Sequence, residues 1–85
     1  MEDLLQIQEL VRKFIIKASY VEEEQVNNNT LIFELGIMDS MGFMSLIAFI
    51  EESFSIQAKD NDLLEANFES VEAIASFVSR KLSLS

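Results

Sequence analysis

The chain lacks the residue types on which much enzyme chemistry depends. Its 85 residues include no cysteine and no histidine. It therefore has no thiol nucleophile, and it lacks the side chains that most often act as general base or zinc ligand. A chain of this length also builds a small core with little room for an enclosed active site. We expect a single, non-catalytic domain over residues 1–85.

The chain also has no long apolar segment, and its first residues are acidic. No uninterrupted apolar segment approaches the ~18–20 residues of a membrane span. The chain begins with the acidic pair Glu2-Asp3, where a signal peptide would be basic. The lack of cysteine is compatible with a reducing compartment. We expect a cytoplasmic protein without a membrane span.

Positive charge is absent from the middle of the chain. The net charge is −9, and residues 18–58 contain acidic side chains but no lysine or arginine. Such a segment would repel nucleic acid and anionic membranes and would attract basic protein surfaces. Part of this charge also serves solubility. Both interpretations exclude a nucleic-acid-binding protein.

Hydrophobic periodicity predicts an all-α fold, a small four-helix bundle with three longer helices and a short third one. The first helix is predicted over residues 3–18 and the second over residues 40–54. Asp60-Asn61-Asp62 can cap the short third helix through Leu63, Leu64 and Ala66. Ser70 can cap the last helix.

A long loop over residues 19–39 separates the first two predicted helices. Gly36 can take a positive φ ahead of the second helix, although a short strand over residues 31–35 is an alternative. Long ordered loops in small domains usually have a function. We expect the apolar loop side chains to anchor it on the core: Val26, Leu31, Phe33 and Leu35.

The second predicted helix has two different faces. Phe43, Leu46, Ile47, Ile50 and Phe54 should face the core. The opposite face is apolar near Ser40 and acidic further along, and we predict that partners dock on it. It comprises Met41, Met44, Ser45, Ala48, Glu51 and Glu52. The alternative is that the loop covers Met41 and Met44 as additional core.

Asp39 and Ser40 stand at the predicted start of that helix. Asp39 can act as N-cap and Ser40 as the first helical residue. The hydroxyl would then lie beside backbone N–H groups and the positive end of the helix dipole, which favour a phosphate. Such a pair is often only a helix start. Together with the pattern in the rest of the chain, the pair Asp39-Ser40 indicates a phosphodiester on Ser40.

The wider pattern consists of Leu35-Gly36, Asp39-Ser40-Met41, Phe54 at the helix end and the segment 67–71. This pattern resembles the acyl carrier and peptidyl carrier protein family. The resemblance covers nearly the whole chain. It implies that Ser40 carries 4′-phosphopantetheine from coenzyme A, with Asp39 as its acidic neighbour, and that the terminal thiol holds an acyl or aminoacyl thioester.

The same resemblance implies partner proteins for a monomeric carrier. These are a phosphopantetheinyl transferase, a loading enzyme of the adenylating or acyltransferase type, and a downstream synthase or transferase. Met41, Met44 and Ala48 match the helix face on which such partners usually dock. We expect no metal site, because Asp60-Asn61-Asp62 lacks the glycine and the final glutamate of a calcium loop.

Gly42 and Ser45 depart from fatty-acid carriers, which commonly have more acidic residues here. Asp39-Ser40-Met41-Gly42 is similar to D-alanyl carrier proteins and free-standing aminoacyl carriers. We therefore favour a nonribosomal-peptide, polyketide or D-alanyl-type pathway, with fatty-acid synthesis as the alternative. Phe43, on the core side near Ser40, would compete with a long acyl tail for internal space.

Two other function classes are compatible with parts of the pattern. An acidic helical interaction module would use Met41 and Met44 as an apolar anchor and would need no prosthetic group. A hydrolase would use Ser40 as nucleophile, but the chain has no histidine, and its lysines lie far from Ser40 in sequence. The substitution Ser40→Ala distinguishes the first of these from a carrier, because it should abolish carrier function and leave simple partner binding intact.

Overall fold

In the computed structural model, which describes residues 4–84, the chain folds into four α-helices. These are α1 (Leu4–Ser19), α2 (Ser40–Phe54), α3 (Glu65–Phe68) and α4 (Val71–Leu84), and the described residues contain no strand. The predicted all-α four-helix bundle with a short third helix is confirmed. Residue 3, where the first helix is predicted to begin, and the pair Glu2-Asp3 lie outside the described residues.

The core lies between α1, α2 and α4. α1 packs along α4, α3 packs on α4, and α2 contacts both α1 and α4. Each of the three longer helices buries residues spaced three or four apart, which places them on one face. These buried residues include Ile7, Val11 and Ile15 of α1, Leu46, Ile50 and Phe54 of α2, and Val71, Ile74 and Val78 of α4.

The loop between α1 and α2 is ordered by hydrogen bonds to α1 and α4. Arg12 of α1 donates to the carbonyl oxygens of Val26, at 2.6 Å, and Glu23, at 2.7 Å. The backbone N–H of Glu72 in α4 donates to the carbonyl oxygen of Asn28 at 2.7 Å. These contacts hold the loop against the bundle and so fix the segment that leads to Ser40.

The predicted loop anchors are only partly right. Val26 is buried and Phe33 is half-buried, but Leu31 and Leu35 are 38% and 67% exposed. Ile32 is the fully buried residue instead. Its N–H donates to the Glu69 carbonyl and its own carbonyl accepts from Met38 N–H, both at 3.0 Å, which turns Ile32 inward. Residues 32–36 form turns and residues 31–35 contain no strand, so the short strand considered there is wrong.

The short third helix begins later than predicted. Residues Asp60–Asp62 form a 3₁₀ turn, and α3 follows only from Glu65. The Asp62 carboxylate accepts from the Lys59 N–H at 3.0 Å and from the Lys81 ammonium at 2.9 Å, which closes the turn before Leu63. The predicted cap on the last helix is confirmed, since Ser70 Oγ accepts from Ala73 N–H at 3.1 Å.

Candidate functional site

The start of α2 has the predicted capping geometry. Asp39 is the N-cap, with an extended backbone (φ −103°, ψ −170°), and its carboxylate accepts from the Gly42 N–H at 2.9 Å. Ser40 is the first helical residue and is exposed. The Ser40 hydroxyl therefore stands at the positive end of the helix, where backbone N–H groups have no intrahelical acceptor.

Gly36 prepares this turn from the loop side. It has φ +73°, in the left-handed region that glycine adopts most easily. The N–H of Gly36 donates to the Phe33 carbonyl at 3.1 Å, which closes the turn ahead of Met38 and Asp39. The positive φ predicted for Gly36 is confirmed.

An open groove of about 380 Å³ runs beside Ser40. Loop residues form one wall and the segment leading into α3 forms the other. The surface inside the groove is largely apolar, with a carboxylate at each side. Besides Ser40, the groove is lined by Phe33, Met38, Asp39, Phe43, Leu63 and Glu65.

Aromatic rings fill the space behind this groove. The Phe43 ring lies edge-on to Phe33, with centroids 5.5 Å apart, and edge-on to Phe68, with centroids 5.3 Å apart. The Phe68 ring in turn packs against the Phe77 ring of α4, with centroids 5.0 Å apart. The Phe43 ring is therefore held in place by rings on both sides, and the groove ends at this aromatic row.

The face of α2 opposite the core is open to solvent. Met41 is 81% exposed and Met44 is 66% exposed, so the idea that the loop covers them as core is wrong. Ser45, Ala48 and Glu52 are exposed as well. No charged side chain occurs between residues 40 and 50, so the helix face nearest Ser40 is uncharged although the whole chain carries −9.

Glu51 differs from the other residues of the predicted docking face. It is only half-exposed, and its carboxylate accepts from the backbone N–H of Ala58 at 2.9 Å. This bond holds the segment that follows α2. Glu51 therefore serves the fold, which leaves Glu52 as the free acidic residue at that end of the face.

Two further observations bear on the kind of site. Within residues 4–84 no cluster of three or more carboxylate, imidazole or thiol side chains could hold a metal ion. Across the same residues, none of the helices has both the length and the apolar character that a membrane crossing needs.

Residues 9–78 match a family model described as the phosphopantetheine attachment site. The chain belongs to this family. Domains of this phosphopantetheine-attachment family are carriers, typically non-catalytic, with a covalently attached 4′-phosphopantetheine, and they work with modifying and loading enzymes. No curated protein sequence gives a significant match to the chain.

The surroundings of Ser40 suit such a prosthetic group in this phosphopantetheine-attachment domain. The hydroxyl is exposed at a helix N-terminus, whose dipole stabilises a phosphodiester. The groove beside it offers an apolar surface that an attached chain can reach without unfolding the bundle. When bound, the group supplies a thiol, which this cysteine-free chain lacks.

Several groove residues were not predicted from the sequence. Met38 lies directly before Asp39, so its position in the chain was a usable signal. Leu63 and Glu65 are distant in sequence, and they reach the groove only because the 3₁₀ turn and α3 pack beside α2. No pattern in the sequence reveals that packing.

Proposed function

We propose that Ser40 bears the 4′-phosphopantetheine and that the protein is a carrier of an acyl or aminoacyl thioester. The observation that carries this proposal is the exposed Ser40 hydroxyl at the Asp39-capped start of α2, beside an open groove, within a chain of the phosphopantetheine-attachment family. A tethered arm raises the effective concentration of its cargo at each partner's active site.

In this proposal each residue around Ser40 has a distinct task. Ser40 Oγ would form a P–O bond to the phosphorus that carries the pantetheine as the pyrophosphate P–O bond of coenzyme A breaks. Adenosine 3′,5′-bisphosphate would leave, and the transferase would accept the hydroxyl proton. Asp39 fixes the first turn of α2 through its bond to the Gly42 N–H. Neither residue catalyses a reaction on the cargo.

Partners in this proposal dock mainly through apolar contact. Met41 and Met44 are the large exposed side chains next to Ser40, and Ser45 and Ala48 continue the face without charge. Methionine adapts to several surfaces, as a carrier with several partners requires. Glu52 and the other acidic groups would then affect the rate of encounter more than the bound complex.

We place the carrier in a nonribosomal-peptide, polyketide or D-alanyl-type pathway. Asp39-Ser40-Met41-Gly42 and the uncharged α2 face support this assignment over fatty-acid synthesis. The aromatic row supports it too, because Phe43, packed between Phe33 and Phe68, occupies the space that a long acyl tail would need.

The cargo proposal can be tested by acyl-chain length. Loading the holo-protein with acyl groups of increasing length should leave Tm unchanged, because the tail stays outside the core. In Phe43→Ala the tail gains a cavity, so longer chains should raise Tm. A steady rise of Tm with chain length in the wild type would contradict the proposal and favour a fatty-acid carrier.

The exposed methionines also support a second function class. An interaction module would use Met41 and Met44 alone and would not need the Ser40 hydroxyl. In that case Ser40→Ala would leave partner binding intact, and no prosthetic group would be added.

The attachment itself is tested by intact mass. The apo-protein is incubated with coenzyme A, magnesium and a broad-specificity phosphopantetheinyl transferase. We expect the wild type to gain one phosphopantetheine and Ser40→Ala to gain none. Ser53→Ala is the matched control, because Ser53 is an exposed serine on the same helix that does not belong to the predicted docking face. No gain by the folded wild type with two different transferases would favour the interaction module.

A further inference from the structure

Met38 is packed against the first turn of α2 at Gly42. Met38 is only 5% exposed, although it belongs to the loop and directly precedes Asp39. A Cβ atom added at Gly42 would lie 2.7 Å from Met38 Cγ and 3.6 Å from its Sδ. Cγ is in the middle of the methionine side chain, so the buried residue would have to move to make room.

Met38 is also the residue that joins the loop to the site. Its N–H donates to the Ile32 carbonyl at 3.0 Å, which ties it to the buried part of the loop. Met38 lines the groove beside Ser40 and also a smaller hollow of about 210 Å³ next to the end of α1. A displacement of Met38 would therefore change the wall of the groove and the backbone entering Asp39.

Gly42 contacts the same segment through its backbone. Its N–H donates to the Asp39 carboxylate at 2.9 Å, which is the capping hydrogen bond of α2. Gly42 also packs against Met38. Ser40 lies between these two contacts. The orientation of its hydroxyl depends on the loop and the first helical turn keeping this close fit.

We infer that Gly42 is a positioning residue for the modification of Ser40, because its missing side chain makes room for Met38 under the start of α2. The inference rests on the proposed function. A helix that contains glycine is normally less stable than the same helix with alanine, so helix propensity alone predicts that Gly42→Ala stabilises the protein. The contact with Met38 should reverse this effect.

The test compares Gly42→Ala in two backgrounds. Against the wild type, we expect it to lower Tm by about 4–8 °C and to lower kcat of the phosphopantetheinyl transfer about tenfold, with little change in KM. Against Met38→Ala, where the obstructing Cγ is absent, Gly42→Ala should raise Tm and leave kcat unchanged. Rescue of this kind indicates that the two side chains compete for one space.

Met38→Leu is the matched control, because leucine keeps a Cγ atom, so Gly42→Ala should remain harmful in that background. If Gly42→Ala fails to fold, the Met38→Ala double variant should still fold and be modified. Normal kcat with raised Tm in the single variant would overturn the inference. So would an equal loss in both backgrounds, or a change in KM alone, which would indicate a contact with the transferase. An unmodified wild type would instead contradict the proposed function.

Discussion

Two helices of this protein begin with the same kind of triplet, an acidic residue, a serine and an apolar residue. Asp39-Ser40-Met41 leads into α2, and Glu69-Ser70-Val71 leads into α4. In the first triplet Asp39 is the cap and Ser40 is exposed, whereas in the second Ser70 is the cap and is only 7% exposed. A shift of one residue in the capping position therefore decides which hydroxyl is available for chemistry.

The neighbours of the two serines differ in the same direction. Met41 is 81% exposed, whereas Val71 is fully buried in the core. The carbonyl of Glu69 accepts from Ile32 N–H at 3.0 Å, so the second triplet is also bonded to the loop. The sequence pattern alone does not mark a site. The proposed attachment requires an exposed hydroxyl, an open groove beside it and exposed helix surface, and of the two triplets it is the first that has them.

The largest expected effect concerns the apolar residue of each triplet. Val71→Ala should destabilise the protein by about 2–3 kcal/mol, because it leaves a cavity in the core. Met41→Ala should change stability by less than about 0.5 kcal/mol, because the side chain is exposed, while slowing partner reactions. Urea denaturation of both variants measures the difference. Similar losses in the two variants would mean that Met41 belongs to the core.

The two serines should also separate under substitution. Ser70→Ala removes a cap and should cost about 1 kcal/mol, yet the protein should still accept phosphopantetheine. Ser40→Ala should cost less than about 0.5 kcal/mol and lose the modification entirely. The paired measurements are a denaturation curve and an intact mass. A Ser70→Ala protein that is folded but unmodified would remove the distinction between the serines.

Two substitutions of Asp39 separate the effect of its capping hydrogen bond from the effect of its negative charge. Asp39→Ala should cost about 1 kcal/mol through the lost bond to the Gly42 N–H and should slow the modification of Ser40. Asp39→Asn keeps a capping oxygen, so its stability should stay close to that of the wild type. Thermal melting and single-turnover transfer assays of both variants measure this. Slow transfer by Asp39→Asn at normal stability would show that the negative charge itself takes part.

The smallest expected effect concerns Asp62, in the 3₁₀ turn before α3. The Lys59 N–H and the Lys81 side chain both donate to Asp62 and hold the pKa of its carboxyl below its ordinary value of 3.8. A carboxyl whose pKa is lower in the folded than in the unfolded protein stabilises the fold at pH values above its unfolded-state pKa. This contribution is lost as the pH falls through its folded-state pKa. Stability should therefore decline below about pH 4, and Asp62→Asn should decline less. The check is Tm between pH 2 and 6, and parallel curves for the two proteins would contradict the assignment.

Much of the fold and part of the site follow from local sequence. The bounds of α2, the Asp39 cap, the Ser70 cap and the turn at Gly36 depend on residues within a few positions of one another. For this reason helical periodicity and capping preference were enough to predict them.

Other features depend on contacts between distant segments. Ile32 is buried in place of Leu31 and Leu35 because Glu69 bonds its backbone. The third helix begins late because Lys81, from α4, holds Asp62 in a turn. Leu63 and Glu65 line the groove beside Ser40, also because segments distant in sequence pack together. No local pattern contains these pairings, so periodicity could not predict them.

The most direct test of the comparison is to locate the modification within the wild-type chain. After transfer from coenzyme A, the protein is digested and its peptides are fragmented in a mass spectrometer. We predict that the phosphopantetheine lies on the peptide containing Asp39-Ser40-Met41, with fragment ions placing it on Ser40. Modification on the peptide containing Glu69-Ser70-Val71, or on another serine, would contradict the account.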